Sequence, residues 1–270
     1  MQEMPSEVIT AYIVSLILWV VAVIVILFAG QTWAALRTFR QRMVRQWQPA
    51  LGIAAIYAAS AALKGSQLNA YSILFGAIMT FCQALIGLGL AYGIRGFEPL
   101  PVVKAIARRQ HVLRSLLLMI GIAVLAVAAG LIAGALGTAL ARLLGEVKEA
   151  NQGNTSTLPA LWQLFFYFLA GAGLAEELVY RLVVVSLIWN VTHRPRLAVI
   201  VSGLLFGAYH LTPLSGMYLT FWQYPLTQFF SSAFIGMVWA YVYIRRGFET
   251  AVLAHTLSDW LPITIFTVLS

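Results

Sequence analysis

The stretch LAGAGLAEELVYRLVVV, residues 169–185, places three charged side chains, Glu176, Glu177 and Arg181, inside a run that is otherwise largely apolar. A charged group at bilayer depth costs about 2.5–3.5 kcal/mol even on a lenient insertion scale. A fold is stable by only about 5–15 kcal/mol in total. Groups kept at such a cost are expected to be paired with one another or to do chemistry.

Outward from this stretch, the composition sets the solvent. Of 270 residues 61% are hydrophobic and 10% charged, with a mean hydropathy of +0.87, which leaves too little polar surface for a water-soluble globule. The apolar runs are continuous and near the roughly 20 residues that a crossing helix needs, rather than alternating as in an outer-membrane barrel. The expected fold is all-α, a polytopic membrane helical bundle of about eight transmembrane helices, at 8–29, 48–63, 72–94, 115–140, 159–190, 197–214, 223–244 and 250–269. The fifth run is too long for one perpendicular helix, and Gly171 and Gly173 offer a bend just before the glutamates.

Basic residues give the orientation. Arg37, Arg40, Arg42 and Arg45 precede the second run; Arg95, Lys104, Arg108, Arg109 and Arg114 precede the fourth. Arg194 and Arg196 precede the sixth, and Arg245 and Arg246 the eighth. All of these fall on one side, whereas Lys64, Arg142 and Lys148 fall on the other. The positive-inside rule then makes the basic loops cytoplasmic and both termini outside. The second run is short and Ala-rich, but without it the first two Arg-rich loops would face opposite compartments. The formal charge of +8 reads as topology and contact with anionic lipid at the cytoplasmic face, not as nucleic-acid binding. The expected location is the cell membrane, or the endoplasmic reticulum membrane in a eukaryote.

Other features organise the chain without adding chemistry. Trp33, Leu36, Met43 and Trp47 are spaced for a short amphipathic surface helix. Glu3 and Glu7 stand where a cleavable signal would be basic, so the first run is expected to remain as an anchor. The single Cys82 precludes an internal disulfide or cysteine metal cluster and reads as apolar filler. Gly130 and Gly134 suggest a close helix contact. Residues 1–270 read as one membrane domain, with a four-helix half at 1–140 and a functional core at 159–270. Between the halves lies a polar outside loop, 141–158, containing Asn151, Gln152, Gly153 and Asn154.

Among nine acidic residues, Glu176, Glu177 and Asp259 lie at depth, as do His210 and His255; Glu249 falls at a helix start. Glu177 and Arg181 are four apart on one face, as are His255 and Asp259, while the adjacent glutamates differ by about 100° in azimuth. Glu177 is therefore expected to pair with Arg181 while Glu176 points elsewhere. A rise of about 1.5 Å per residue puts these groups near one level, around or just below the midplane.

Three motifs now stand in order on successive membrane segments: EExxxR at Glu176-Glu177-Leu178-Val179-Tyr180-Arg181, FxxxH at Phe206-Gly207-Ala208-Tyr209-His210, and His255-Thr256-Leu257-Ser258-Asp259. Together they resemble the CAAX protease and bacteriocin-processing family of intramembrane proteases, related to the type II CAAX prenyl endopeptidase. The resemblance covers about residues 160–262. It implies an intramembrane endopeptidase in which Glu176 acts on water with help from His210, His255 and Asp259 stabilise the oxyanion, and Glu177 and Arg181 give structural support. Peptide hydrolysis needs a base, oxyanion donors and a proton for the leaving amine, and these groups can supply all three. Relatives often have Asn where Asp259 stands; an ionised Asp259 would repel an oxyanion, so it is either protonated or, on the reading adopted, accepts from His255 and orients the ring. Tyr180 and Leu182 also depart from the Phe and Gly common in relatives.

No cofactor is expected. Zinc held by His210, His255, Glu176 and Asp259 is the alternative, although the chain lacks the HExxH spacing. The expected substrate is a membrane protein or lipidated peptide, cut toward the cytoplasmic leaflet. Two other classes compete: a proton-coupled transporter, since buried Glu, Asp and His also form proton relays, and a catalytically silent membrane scaffold or immunity protein. Against the transporter, the buried charges all fall in one half of the chain.

Overall fold

The computed structural model describes residues 6–64, 70–146 and 159–269. Its helices run in the order α1 (Ser6–Thr32), α2 (Ala34–Arg45), α3 (Trp47–Leu63), α4 (Ala70–Ala91), α5 (Pro101–Arg108), α6 (Val112–Leu143), α7 (Leu161–Phe168), two π-helical segments (Leu169–Glu176 and Leu178–Val185), α8 (Ser186–Thr192), α9 (Pro195–Tyr209), α10 (Tyr218–Phe221), α11 (Pro225–Arg246) and α12 (Phe248–Leu269). The described residues contain no strand. The protein is a helical membrane bundle.

α1, α4, α6, α11 and α12 are long and apolar enough to cross a membrane. The second and sixth expected spans are helical but shorter, at 17 and 15 residues. The sixth was expected to reach residue 214; it stops at Tyr209, and Thr212 is extended (φ −115°, ψ 155°) because Pro213 follows. The fifth, expected to bend at the glycines, widens into π-helix on both sides of Glu177. Pro101, Pro195 and Pro225 open α5, α9 and α11, where the missing N–H removes no helical bond.

The amphipathic segment is a helix, α2, packed on α1 and α4, with Met43 buried and Trp33 and Trp47 exposed. Glycines bring helices close: a Cβ at Gly130 would fall 2.6 Å from the Trp239 ring, at Gly134 2.9 Å from Ile235, and at Gly137 2.5 Å from the Phe230 backbone. The expected Gly130–Gly134 contact is therefore made, against α11, and extends to Gly137. α11 packs on α6 and α9 in the middle of the bundle.

The basic loops meet at one end. A Cβ at Gly93 would touch both Asn190 and Arg42, the Phe97 ring lies 5.1 Å from Trp189 and 5.2 Å from Tyr243, and the Phe248 N–H donates to Pro99 O at 2.7 Å. At the opposite end Glu146 accepts from the N–H groups of Leu226 (3.0 Å) and Thr227 (2.5 Å), satisfying the first turn of α11. Burial opposes ionisation of Glu146, but these hydrogen bonds prevail and hold its carboxyl below the usual range. Glu3, Lys148, Asn151, Gln152, Gly153 and Asn154, and with them most of the expected outside loop, lie outside the described residues.

Candidate active site

The site is anchored by a pair with no exposure at all: Arg181 Nε lies 3.1 Å from Glu177 Oε2. The contact is ionic and off the linear geometry of a hydrogen bond. Two further contacts reach the guanidinium: Nη1 donates to Ser202 Oγ (3.2 Å), and the charge rests 4.8 Å from the Phe206 ring centre. Ser202 in turn donates to Tyr180 O (2.8 Å), tying α9 to the second π segment.

The second Glu177 oxygen reaches another helix. His255 Nδ1 lies 2.9 Å from Glu177 Oε1. A carboxylate bound to Arg181 can only accept, so Nδ1 is the donor and Nε2 is the ring's outward nitrogen. That nitrogen lies 3.8 Å from both Glu176 Oε2 and Asp259 Oδ2. Such a separation is too long for a direct hydrogen bond and short enough for one oxygen to bridge. Trp239 is stacked over the His255 ring at 5.9 Å, closing its apolar side.

Exposure rises outward through this network. The side chains of Glu177 and Arg181 are 0% exposed, His255 6%, Glu176 19% and Asp259 35%. The outer two carboxylates are reachable, whereas the inner ion pair is not. Gly173 makes the approach of α12 possible, since a Cβ there would fall on Thr256 Oγ1 and 3.3 Å from Val252 O.

His210 stands at the C-terminal end of α9. Its Nδ1 lies 2.8 Å from Phe206 O, a pure acceptor, so Nδ1 donates and Nε2 keeps its lone pair. The Phe206 ring contacts both imidazoles, 4.6 Å from His210 and 5.7 Å from His255. Thus Glu176, His255 and Asp259 are brought together, and His210 joins them across Phe206 without a direct hydrogen bond among the described residues.

The expected hydrogen bond from His255 to Asp259 is not made: Glu177 lies at hydrogen-bond distance on Nδ1, while Asp259 stays 3.8 Å from Nε2 and accepts from Ser258 Oγ (3.3 Å). Among the described residues no group of three or more His, Cys, Asp or Glu side chains is disposed to hold a metal ion.

The family model described as type II CAAX prenyl endopeptidase Rce1-like matches residues 157–261. This part of the chain is similar to that family. The Rce1-like stretch runs from just before α7 into α12 and contains Glu176, Glu177, Arg181, His210, His255 and Asp259. No curated protein and no solved structure matches the chain.

Some residues around the Rce1-like site carry no mark in sequence. Ser202 and Trp239 read as ordinary core, yet one supports Arg181 and the other covers His255. Tyr12, Tyr180 and Tyr209 all interact electrostatically with Glu176. Tyr180 and Tyr209 sit beside motif positions, which is a signal; Tyr12 lies outside the Rce1-like stretch and had none.

Proposed function

We propose that the protein is an intramembrane endopeptidase that hydrolyses a peptide bond in a membrane-associated protein, with Glu176 as the base for water. The observation that carries this reading is the reachable Glu176 carboxylate 3.8 Å from the Nε2 of a His255 ring whose other nitrogen is fixed by Glu177. Glu176 takes a proton from water, and the hydroxide attacks the scissile carbonyl. His210 Nε2, left as an acceptor by its Phe206 bond, orients that water. When His255 is an imidazolium, Nε2–H faces the developing oxyanion, and Asp259 balances the charge from the other side. Glu176 then returns its proton to the leaving amine. Glu177 and Arg181 position His255 and touch no reacting atom.

On this reading residues 159–270 form the catalytic core and 1–140 the supporting half. The basic loops are cytoplasmic, both termini lie outside, and cleavage occurs toward the cytoplasmic leaflet. The family description points to a prenylated tail as substrate; an unprenylated membrane-anchored precursor offers the same peptide bond.

The test is a survey of new N-termini by mass spectrometry. Wild type and Glu176→Gln are reconstituted separately into host membranes, each with and without a zinc chelator. Termini that require Glu176 and persist with chelator are expected. Loss with chelator moves the chemistry to metal, and absence of Glu176-dependent termini removes the protease reading.

A further inference from the structure

Away from the site, at the basic end of the bundle, a cavity of about 320 Å³ opens between the turn joining α11 to α12, the start of α5 and the first turns of α6. Ser115, Arg245 and Arg246 line it together with Leu118, Met119, Ile122 and Ile244. Ser115, Leu118, Met119 and Ile122 follow at helical spacing, so this face of α6 passes from hydroxyl to hydrocarbon within about 10 Å along its axis.

The charge at the mouth is unbalanced. Glu98, which also lines the cavity, is engaged by Lys104 and by the Tyr92 hydroxyl (3.0 Å). Glu249 accepts from the Val103 N–H at 2.8 Å. Arg245 donates to the Tyr241 hydroxyl (3.3 Å) and lies over that ring, and among the described residues neither Arg245 nor Arg246 forms an ion pair. Both guanidiniums are exposed. A lining that joins cationic and hydroxyl groups to apolar side chains matches a ligand with a phosphate at one end and hydrocarbon at the other.

We propose that this cavity is a binding site for an anionic phospholipid, its phosphate held by Arg245, Arg246 and Ser115 and the first carbons of an acyl chain laid along Leu118, Met119 and Ile122. The commitment to lipid over a soluble phosphate rests on the apolar half of the wall, which a free phosphate compound would leave uncovered. Thr250 lines the same cavity, five residues before His255 on α12. An occupied site therefore braces the root of the helix that carries the imidazole.

The test uses the full chain in nanodiscs of phosphatidylcholine with increasing phosphatidylglycerol. Lipid retained after release is read by native mass spectrometry, and melting temperature is followed in parallel. Wild type is expected to retain phosphatidylglycerol selectively and to melt higher with it. Arg245→Ala/Arg246→Ala should weaken retention about tenfold or more, from loss of two cationic contacts. Arg108→Ala/Arg109→Ala, equally basic but outside the lining, should change it less than about twofold. Met119→Trp keeps the arginines and fills the apolar part, and should also lose retention. A wild-type melting temperature in pure phosphatidylcholine shows that each variant is folded. Equal loss in both double-arginine variants would mean diffuse charge and overturn the site, as would no preference in wild type. Equivalent stabilisation by millimolar glycerol phosphate in pure phosphatidylcholine discs would overturn the lipid assignment in favour of a soluble phosphate compound.

Discussion

Consider Glu177→Gln. The amide can still accept from His255 Nδ1, but its NH₂ then faces Arg181 Nε, replacing a 3.1 Å ion contact by two donors. Arg181 remains fully buried, with Ser202 Oγ and the Phe206 ring as its neutral partners. Breaking a buried pair by removing one charge costs about 3–5 kcal/mol, because the other is left uncompensated. Replacing both charges by apolar groups of similar size is far milder. Glu177→Leu/Arg181→Met should therefore cost only the orphaned His255 Nδ1–H, about 1–3 kcal/mol. The free energies come from reversible unfolding in mixed micelles, followed by tryptophan fluorescence, for wild type, Glu177→Leu, Arg181→Met and the double variant as the four corners of a cycle, with Glu177→Gln measured alongside. The double variant should fold yet show no Glu176-dependent cleavage, since no hydrogen bond then fixes the His255 ring through Nδ1. A cost below about 1 kcal/mol for Glu177→Gln, or a double-variant cost equal to the sum of the singles, would refute the claim that this pair is a dry, mutually dependent unit.

Gly173→Ala should destabilise by about 1–3 kcal/mol through overpacking on Thr256, whereas Gly171→Ala, with nothing within 4 Å of the new Cβ, should be neutral or mildly stabilising; thermal unfolding of the two variants separates them. The Glu146 carboxyl is held below its usual range, so its stabilising effect is complete above about pH 4.3 and is lost as pH falls through the lowered value. Wild type should thus melt above Glu146→Gln at neutral pH, and the two curves should converge in acid. On the proposed mechanism His210→Ala should leave the melting temperature near wild type while lowering Glu176-dependent cleavage by about 10²–10⁴-fold, measured by quantifying the same new N-termini.

The helical membrane class was legible because composition and uninterrupted apolar runs dictate it, and the Glu177–Arg181 pair because four-residue spacing survives the altered winding. The Glu177–His255 bond was not legible. It joins residues 78 apart on two segments, and no local periodicity reports which of two neighbouring glutamates faces a third helix. That is why local spacing points to Asp259 as the partner of His255, while the hydrogen bond goes to Glu177. The overlong sixth span has a similar origin: hydropathy continues past Tyr209, while Pro213 and the extended Thr212 end the helix. The roles of Ser202 and Trp239 are tertiary facts, written in what packs against them.

The two π-helical segments also bear on how this chain can change length. Each turn closed by an i→i+5 bond takes in one residue more than it needs to advance, so the 32 residues from Leu161 to Thr192 climb less than an α-helix of that length, which is how so long a run is accommodated. An insertion or deletion here need not detach either end, because a wide turn can tighten or a tight one relax. A change absorbed in this way leaves the helix beyond it in phase, whereas one that is not absorbed turns everything beyond it by about 100° per residue. A single-codon deletion scan between Gly171 and Arg181 should therefore find folded proteins of two kinds, those whose carboxylates keep their direction and those whose carboxylates point the wrong way.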